Sequence, residues 1–304
     1  MNTQFHRTAT FRIASLASLA LIIFSIAWAQ SPSAPAAAAT ATMKPAIALV
    51  ARVTGNATYT DYALGEEGRI EPKMRFKQGV TINTASDATV VLLFSNGSSL
   101  TIKPDTTLSI EEYLQAPLPQ DAPTLDSLDK EPTTSKTKLR LLEGDIIGSV
   151  KKLNTEEGSS YQVDSPIGTA GIRGTNYEFS TNIRGIATPS GRFGIAIGNG
   201  IYIPLSNKEE VVGALEELNF TGVLNGDGSI TITSIQAQGM SEAQATSINI
   251  SASQAQALFA EFSNDDFNPD APGAKGGEFS VKVTPTTPAP RVTPEQGVNN
   301  NTGQ

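Results

Sequence analysis

Arg173 is the side chain whose neighbours best equip it for chemistry. It stands in Thr169-Ala170-Gly171-Ile172-Arg173-Gly174-Thr175, after Ser165-Pro166 and among the glycines Gly168, Gly171 and Gly174. Glycine enters positive-φ backbone without steric penalty and proline pre-sets a turn, so this spacing predicts a bulge or tight corner carrying one cation. A guanidinium held there offers a planar fork of donors to a carboxylate or phosphate on a ligand or partner. The same group also has a structural use, pairing with Asp164 or Glu178 to fasten the turn. Pro166, Gly168, Gly171, Arg173, Gly174 and Thr175 form the candidate partner-binding motif.

Four carboxylates, Glu143, Asp145, Asp164 and Glu178, lie around this segment. Paired carboxylates perform glycoside hydrolysis when they face each other across a cleft. Sequence spacing sets no two of these in one cleft, and acidic residues on strands more often pair with Arg, Lys or water. The other nucleophiles and bases are scarce. Cysteine is absent, which removes disulfides, thiolate metal sites and cysteine nucleophiles. His6 is the one histidine and belongs to the N-terminal leader, so the remainder has no Ser-His-Asp triad and no histidine-ligated zinc. The expectation is a protein that is not an enzyme, with no cofactor and no metal.

The elements that position the motif read as strands. Tyr161 and Val163 before it, and Tyr177 and Phe179 after it, alternate with polar residues, the period of a strand with one buried face. Similar patterns cover Ile47–Val53, Ala57–Tyr62, Gly79–Asn83, Ala88–Phe94, Ser98–Lys103, Thr106–Tyr113, Lys138–Leu142, Asp145–Val150, Phe193–Ile197 and Gly200–Ile203. Asn96-Gly97 predicts a type I′ hairpin. A second hairpin is expected at Asn225-Gly226-Asp227-Gly228, which lacks the ligand pattern of a calcium loop. Helices are expected at Ser206–Leu218 and at Ser253–Phe262, the first from a Ser cap with Glu209 and a stripe of Val211, Val212, Leu215 and Leu218.

At the N-terminus, Arg7 and Arg12 precede an apolar run, Ile13–Ile26, that ends in Ala27-Trp28-Ala29. This is a signal-peptide pattern with cleavage between Ala29 and Gln30, and the run falls short of the roughly 20 residues of a membrane span. Residues 30–45 form an Ala/Pro-rich linker, 46–180 a β domain with an exposed loop at 115–136, 181–263 a β-rich extension, and 264–304 a Pro/Asn-rich disordered tail with one strand pattern at Glu278–Val283. Losing the two leader arginines takes the formal net charge of −8 to −10, which disfavours nucleic acid as a partner.

The order V-D-S-P-I-G-T-A-G-I-R-G-T-N-Y-E-F, with Leu142-Glu143-Gly144-Asp145-Ile146-Ile147 ahead of it, resembles the core of a FecR domain over about residues 50–180. Ile172 stands where the family often has Val, and Ser165-Pro166 where it has Thr-Pro. The resemblance implies a fold and a periplasmic compartment and leaves the ligand open. The family's best-known members carry a cytoplasmic anti-sigma segment before one membrane helix, and the twelve residues ahead of Ile13 leave no room for it. The expected protein is a stand-alone exported form, periplasmic or secreted. Its fold is mainly β, a jelly-roll-like sandwich or short curled β-solenoid, with one or two short helices in the C-terminal part. Its partner is an envelope protein met in signalling or assembly; the alternative is a cell-wall polymer.

Overall fold

The computed structural model describes residues 42–119, 121–183, 187–205 and 209–277. The leader with Ala29 and Gln30, most of the linker, Ser206 and the Glu278–Val283 pattern lie outside them. The described strands are β1 (Lys44–Pro45), β2 (Ala48–Thr54), β3 (Ala57–Asp61), β4 (Glu66–Arg69), β5 (Arg75–Phe76), β6 (Val80–Thr84), β7 (Thr89–Phe94), β8 (Ser99–Ile102) and β9 (Thr107–Gln115). They continue as β10 (Ser135–Val150), β11 (Ser160–Ser165), β12 (Gly168–Asn182), β13 (Ser190–Pro204), β14 (Glu210–Val212), β15 (Glu216–Leu224) and β16 (Ile230–Gly239), followed by one helix, α1 (Glu242–Ala257).

All sixteen strands belong to one open, mixed sheet. Three long strands divide it into two arms. The first half of β10 pairs with β9 and β11, and its second half with β8 and β12. β12 likewise leaves β11 for β10, and β13 exchanges β15 for β14. One arm therefore runs β4-β3-β6-β9-β10-β11-β12-β13-β14, and the other β5-β2-β7-β8-β10-β12-β13-β15-β16. Strands that change partners midway turn corners at bulges. Alternation supplies the common core between the arms, which includes Ile82, Leu108, Tyr161, Phe179, Tyr202 and Phe220. This core runs across the expected boundary at 180/181, because β12 and β13 pair along most of their length.

Two adjacent strands near the β5 end of the second arm, β2 and β7, are apolar on both faces. Ile47 just before β2 and Leu49 within it, with Val91 and Leu93 of β7, turn away from the common core and are covered by Leu125, Leu258, Phe259 and Phe267. Helix α1 lies on the same outer side, with Ala245 and Ile248 against Ile147 and Ala196. No helix among the described residues is long and apolar enough to cross a membrane.

Several expectations need correction. The helix expected at Ser206–Leu218 is absent over its described part: Glu210–Val212 is strand β14, and β15 begins at Glu216. Val212 and Leu218 enter the core from separate strands, and Leu215 sits at φ 62° in the turn between them. The second helix starts earlier than expected, after the cap Ser241, and the expected Ser253–Phe262 range is its last turn followed by a 3-10 turn at Leu258–Glu261. Ser241 and Gln244 form a capping box there. The hairpin at Asn96-Gly97 exists, but Gly97 alone has positive φ, so the turn is a three-residue loop with a glycine bulge. The hairpin at Asn225–Gly228 uses the same device: Asn96 and Asp227 each accept a hydrogen bond from the backbone two residues on, at 3.0 and 2.9 Å.

The loop expected to be exposed at 115–136 and the tail from Asn264 are each anchored by a few buried residues, among them Leu125 and Glu131 in the first and Phe267 in the second. Leu125 is buried beneath Phe259 and Phe267, whose rings stack at 5.9 Å. Glu131 is 3% exposed; it accepts from the Ser135 hydroxyl at 2.6 Å and from the Asn154 N–H at 2.5 Å. Lys275 bonds to Arg75 and Lys77 through its backbone and so covers the free edge of β5.

Candidate functional site at the bulged corner of β12 and β13

The motif spans a hairpin and a bulge. Ser165-Pro166-Ile167-Gly168 makes the β11–β12 turn, with the Ser165 hydroxyl donating to Gly168 O at 2.8 Å. The Tyr202 hydroxyl donates to Ile167 O at 2.8 Å, in space that a side chain on Gly168 would fill. Gly171 differs from the expected turn glycine: it lies in regular strand, and a Cβ there would meet only Ile201 O, at 3.9 Å.

The corner itself is at Gly174 and Thr175. Register between β12 and β13 slips after Arg173, which faces Asn199, and resumes at Asn176, which faces Ile197. Gly174 has φ 62° and donates its N–H to Lys151 O at 3.2 Å. The buried Thr175 hydroxyl lies 2.8 Å from Arg173 O and 2.7 Å from Asn199 O, so its one proton is shared across the bulge. Gly198 completes the corner at φ 94°, where a Cβ would overlap the Gly174 carbonyl oxygen. Sequence reasoning missed Gly198; its signal was Ile197-Gly198-Asn199-Gly200 interrupting an apolar strand.

Arg173 does not fasten the turn. Asp164 is taken by the Lys138 amine at 3.1 Å and the Thr169 hydroxyl at 2.8 Å. Glu178 is taken by Lys103 at 3.1 Å and by Arg192. Arg173 is left exposed, with no ion pair among the described residues. Cross-strand pairing sets Thr169, Gly171 and Arg173 beside Ile203, Ile201 and Asn199, and Val211 beside Ile201. On this face Ile201, Ile203 and Val211 are 39%, 40% and 71% exposed. Nearby, burial pulls the Lys151 amine below its usual pKa, against the opposing pull of Asp129 and Asp126.

The carboxylates are divided between places. Asp164 lies in the β11 hairpin, whereas Glu143 and Asp145 line a groove of about 720 Å³ with Lys103, Arg192 and Asn219. Beside it Glu178 and Glu217 are nearly buried on either side of Arg192. Glu217 also accepts from Gln238 at 2.6 Å and Gln244 at 3.2 Å. Burial raises the Asp145 carboxyl above its ordinary pKa, and Lys103 opposes the rise.

Residues 80–189 match the family described as FecR protein. No curated protein sequence matches the chain. Among solved structures, two of a putative anti-sigma factor from Parabacteroides distasonis are similar at 10% identity, with TM-scores of 0.37 and 0.36. Each comparison covers 55% of this chain and 62% of the other, so the chain spans less than two thirds of their length. From β6 to the residue before β13, then, the chain is similar to the FecR family.

Proposed function

We propose that the protein is an exported, non-enzymatic binding module of the cell envelope, periplasmic or secreted, that recognises a protein partner in signalling or assembly. The observation that carries this is an exposed Arg173, without an ion pair among the described residues, beside the exposed Ile201, Ile203 and Val211. A desolvated contact of that kind combines apolar burial with a fork for a partner carboxylate. Glu178 is paired with Lys103 and Arg192, and Glu217 with Arg192, which gives both carboxylates a structural use and supports the non-enzymatic reading. For a wall polymer the usual platform is a row of exposed aromatics, and Tyr62 is the one large exposed aromatic among the described residues.

The test is affinity capture by tagged protein from envelope extract, with peptidoglycan sedimentation of the same sample. One protein recovered by wild type and lost with both Arg173→Ala and Val211→Asp, at unchanged melting temperature, supports the proposal. Sedimentation with the wall and no protein recovered refutes it.

A further inference from the structure

Strand β16 ends the second arm and is hydrogen-bonded to β15 alone among the described residues. Its outer edge therefore carries backbone N–H and C=O groups with no strand beside them. Folded proteins blunt such edges with charge, proline, short length or a covering segment. The other edges here follow that rule. β4 carries Glu66, Glu67 and Arg69; β14 is three residues long and starts at Glu210; β5 is covered by Lys275. β16 does not follow it: Ile-Thr-Ile-Thr-Ser-Ile-Gln-Ala-Gln-Gly has ten residues, no charge and no proline.

The edge is also the same from either direction. A bulge at Thr233 keeps Ile232 opposite Gly222 and Ile235 opposite Phe220, so Ile230, Ile232, Ile235 and Ala237 all share the core side. Thr231, Ser234, Gln236 and Gln238 share the other. An antiparallel strand running back along β16 meets its best match in another β16: isoleucines continue the core, uncharged polar residues continue the outer face, and no like charges oppose. A foreign strand finds no charged handle to select it.

We infer that β16 is a self-association edge, pairing antiparallel with β16 of a second copy about a two-fold axis and joining the two sheets. Such pairing is isologous and closes, leaving neither edge free. It does not depend on the Arg173 face, so either can fail without the other.

Sedimentation velocity of the full chain over a concentration series reads the outcome directly. A two-fold axis at the strand centre sets Thr231 of one copy across from Gln236 of the other, and both side chains are exposed. Thr231→Lys with Gln236→Lys thus opposes like charges and is expected to raise the dimer dissociation constant at least about tenfold at unchanged melting temperature. Hydrogen exchange supplies an independent reading in wild type: amides of Ile230–Gly239 gain protection as concentration rises. A chain that is monomeric throughout, a dimer that survives the lysine pair, or a dimer without added protection at β16 overturns the inference.

Discussion

Replacing Gly198 by Ala tests whether the corner is built as described, because the structure assigns it a cost that the glycine of the R-G-T motif does not share. At φ 94° an alanine leaves the allowed left-handed well, which costs on the order of 1–3 kcal/mol. Its Cβ would overlap the Gly174 carbonyl and stand 2.8 Å from Thr175 Oγ1, both fixed by the bulge, adding about 1–3 kcal/mol. Reduced freedom of the unfolded chain returns about 0.4–1 kcal/mol. The net loss is about 2–5 kcal/mol. Gly174→Ala has φ 62°, inside the well, and meets first Lys152 Cγ at 3.3 Å, the stem of a flexible side chain. Its net cost is about 0–1.5 kcal/mol. With a urea slope of about 3 kcal/mol per molar, the midpoint should fall by about 0.7–1.7 M for Gly198→Ala and by less than about 0.5 M for Gly174→Ala. Equal losses, or an unmoved midpoint for Gly198→Ala, would refute the account of the corner.

Gly171→Ala should change stability by less than about 1 kcal/mol, since the position is regular strand with room for a methyl; a loss as large as that of Gly198→Ala would show a close approach there. Glu131→Ala should cost about 2–4 kcal/mol by stranding the Asn154 N–H, and should open the segment after β9 to limited proteolysis. An uncut variant would place the anchoring elsewhere. Asp145 binds its proton more tightly folded than unfolded, so it contributes stability at low pH that is lost as pH rises from about 3.8 through its native pKa. The urea midpoint of Asp145→Asn should therefore gain on wild type between about pH 3 and pH 7; a flat difference would remove burial as the cause.

What could be read in advance was local and periodic. The alternation of Val90–Phe94 and Leu100–Ile102 marks β7 and β8, and the glycines around Arg173 mark a corner. What escaped was decided by distant residues. Arg173 is free because Lys138 and Lys103, far from it in sequence, take the two carboxylates that were its expected partners. Helix α1 buries Ala245, Ile248, Ala252 and Ala255, a 3-4-3 spacing of mostly small residues that gives little apolar signal. In β14 and β15 the opposite happened: an apparent helical stripe came from two strands and a turn. The acidic, proline-rich segment after β9 looked solvated, yet a few residues, Leu125 and Glu131 above all, suffice to hold it.

The covering of β2 has a consequence for how the protein must be made. Ile47 and Leu49 stand near the start of the described chain, and the residues that shield their outer side include Phe259 and Phe267, near its end. A polypeptide emerging N-terminus first presents strands that are apolar on both faces for as long as the rest takes to appear. During that interval β2 and β7 are the surface a holding chaperone would find, and a chain cut short before Phe267 would keep displaying it.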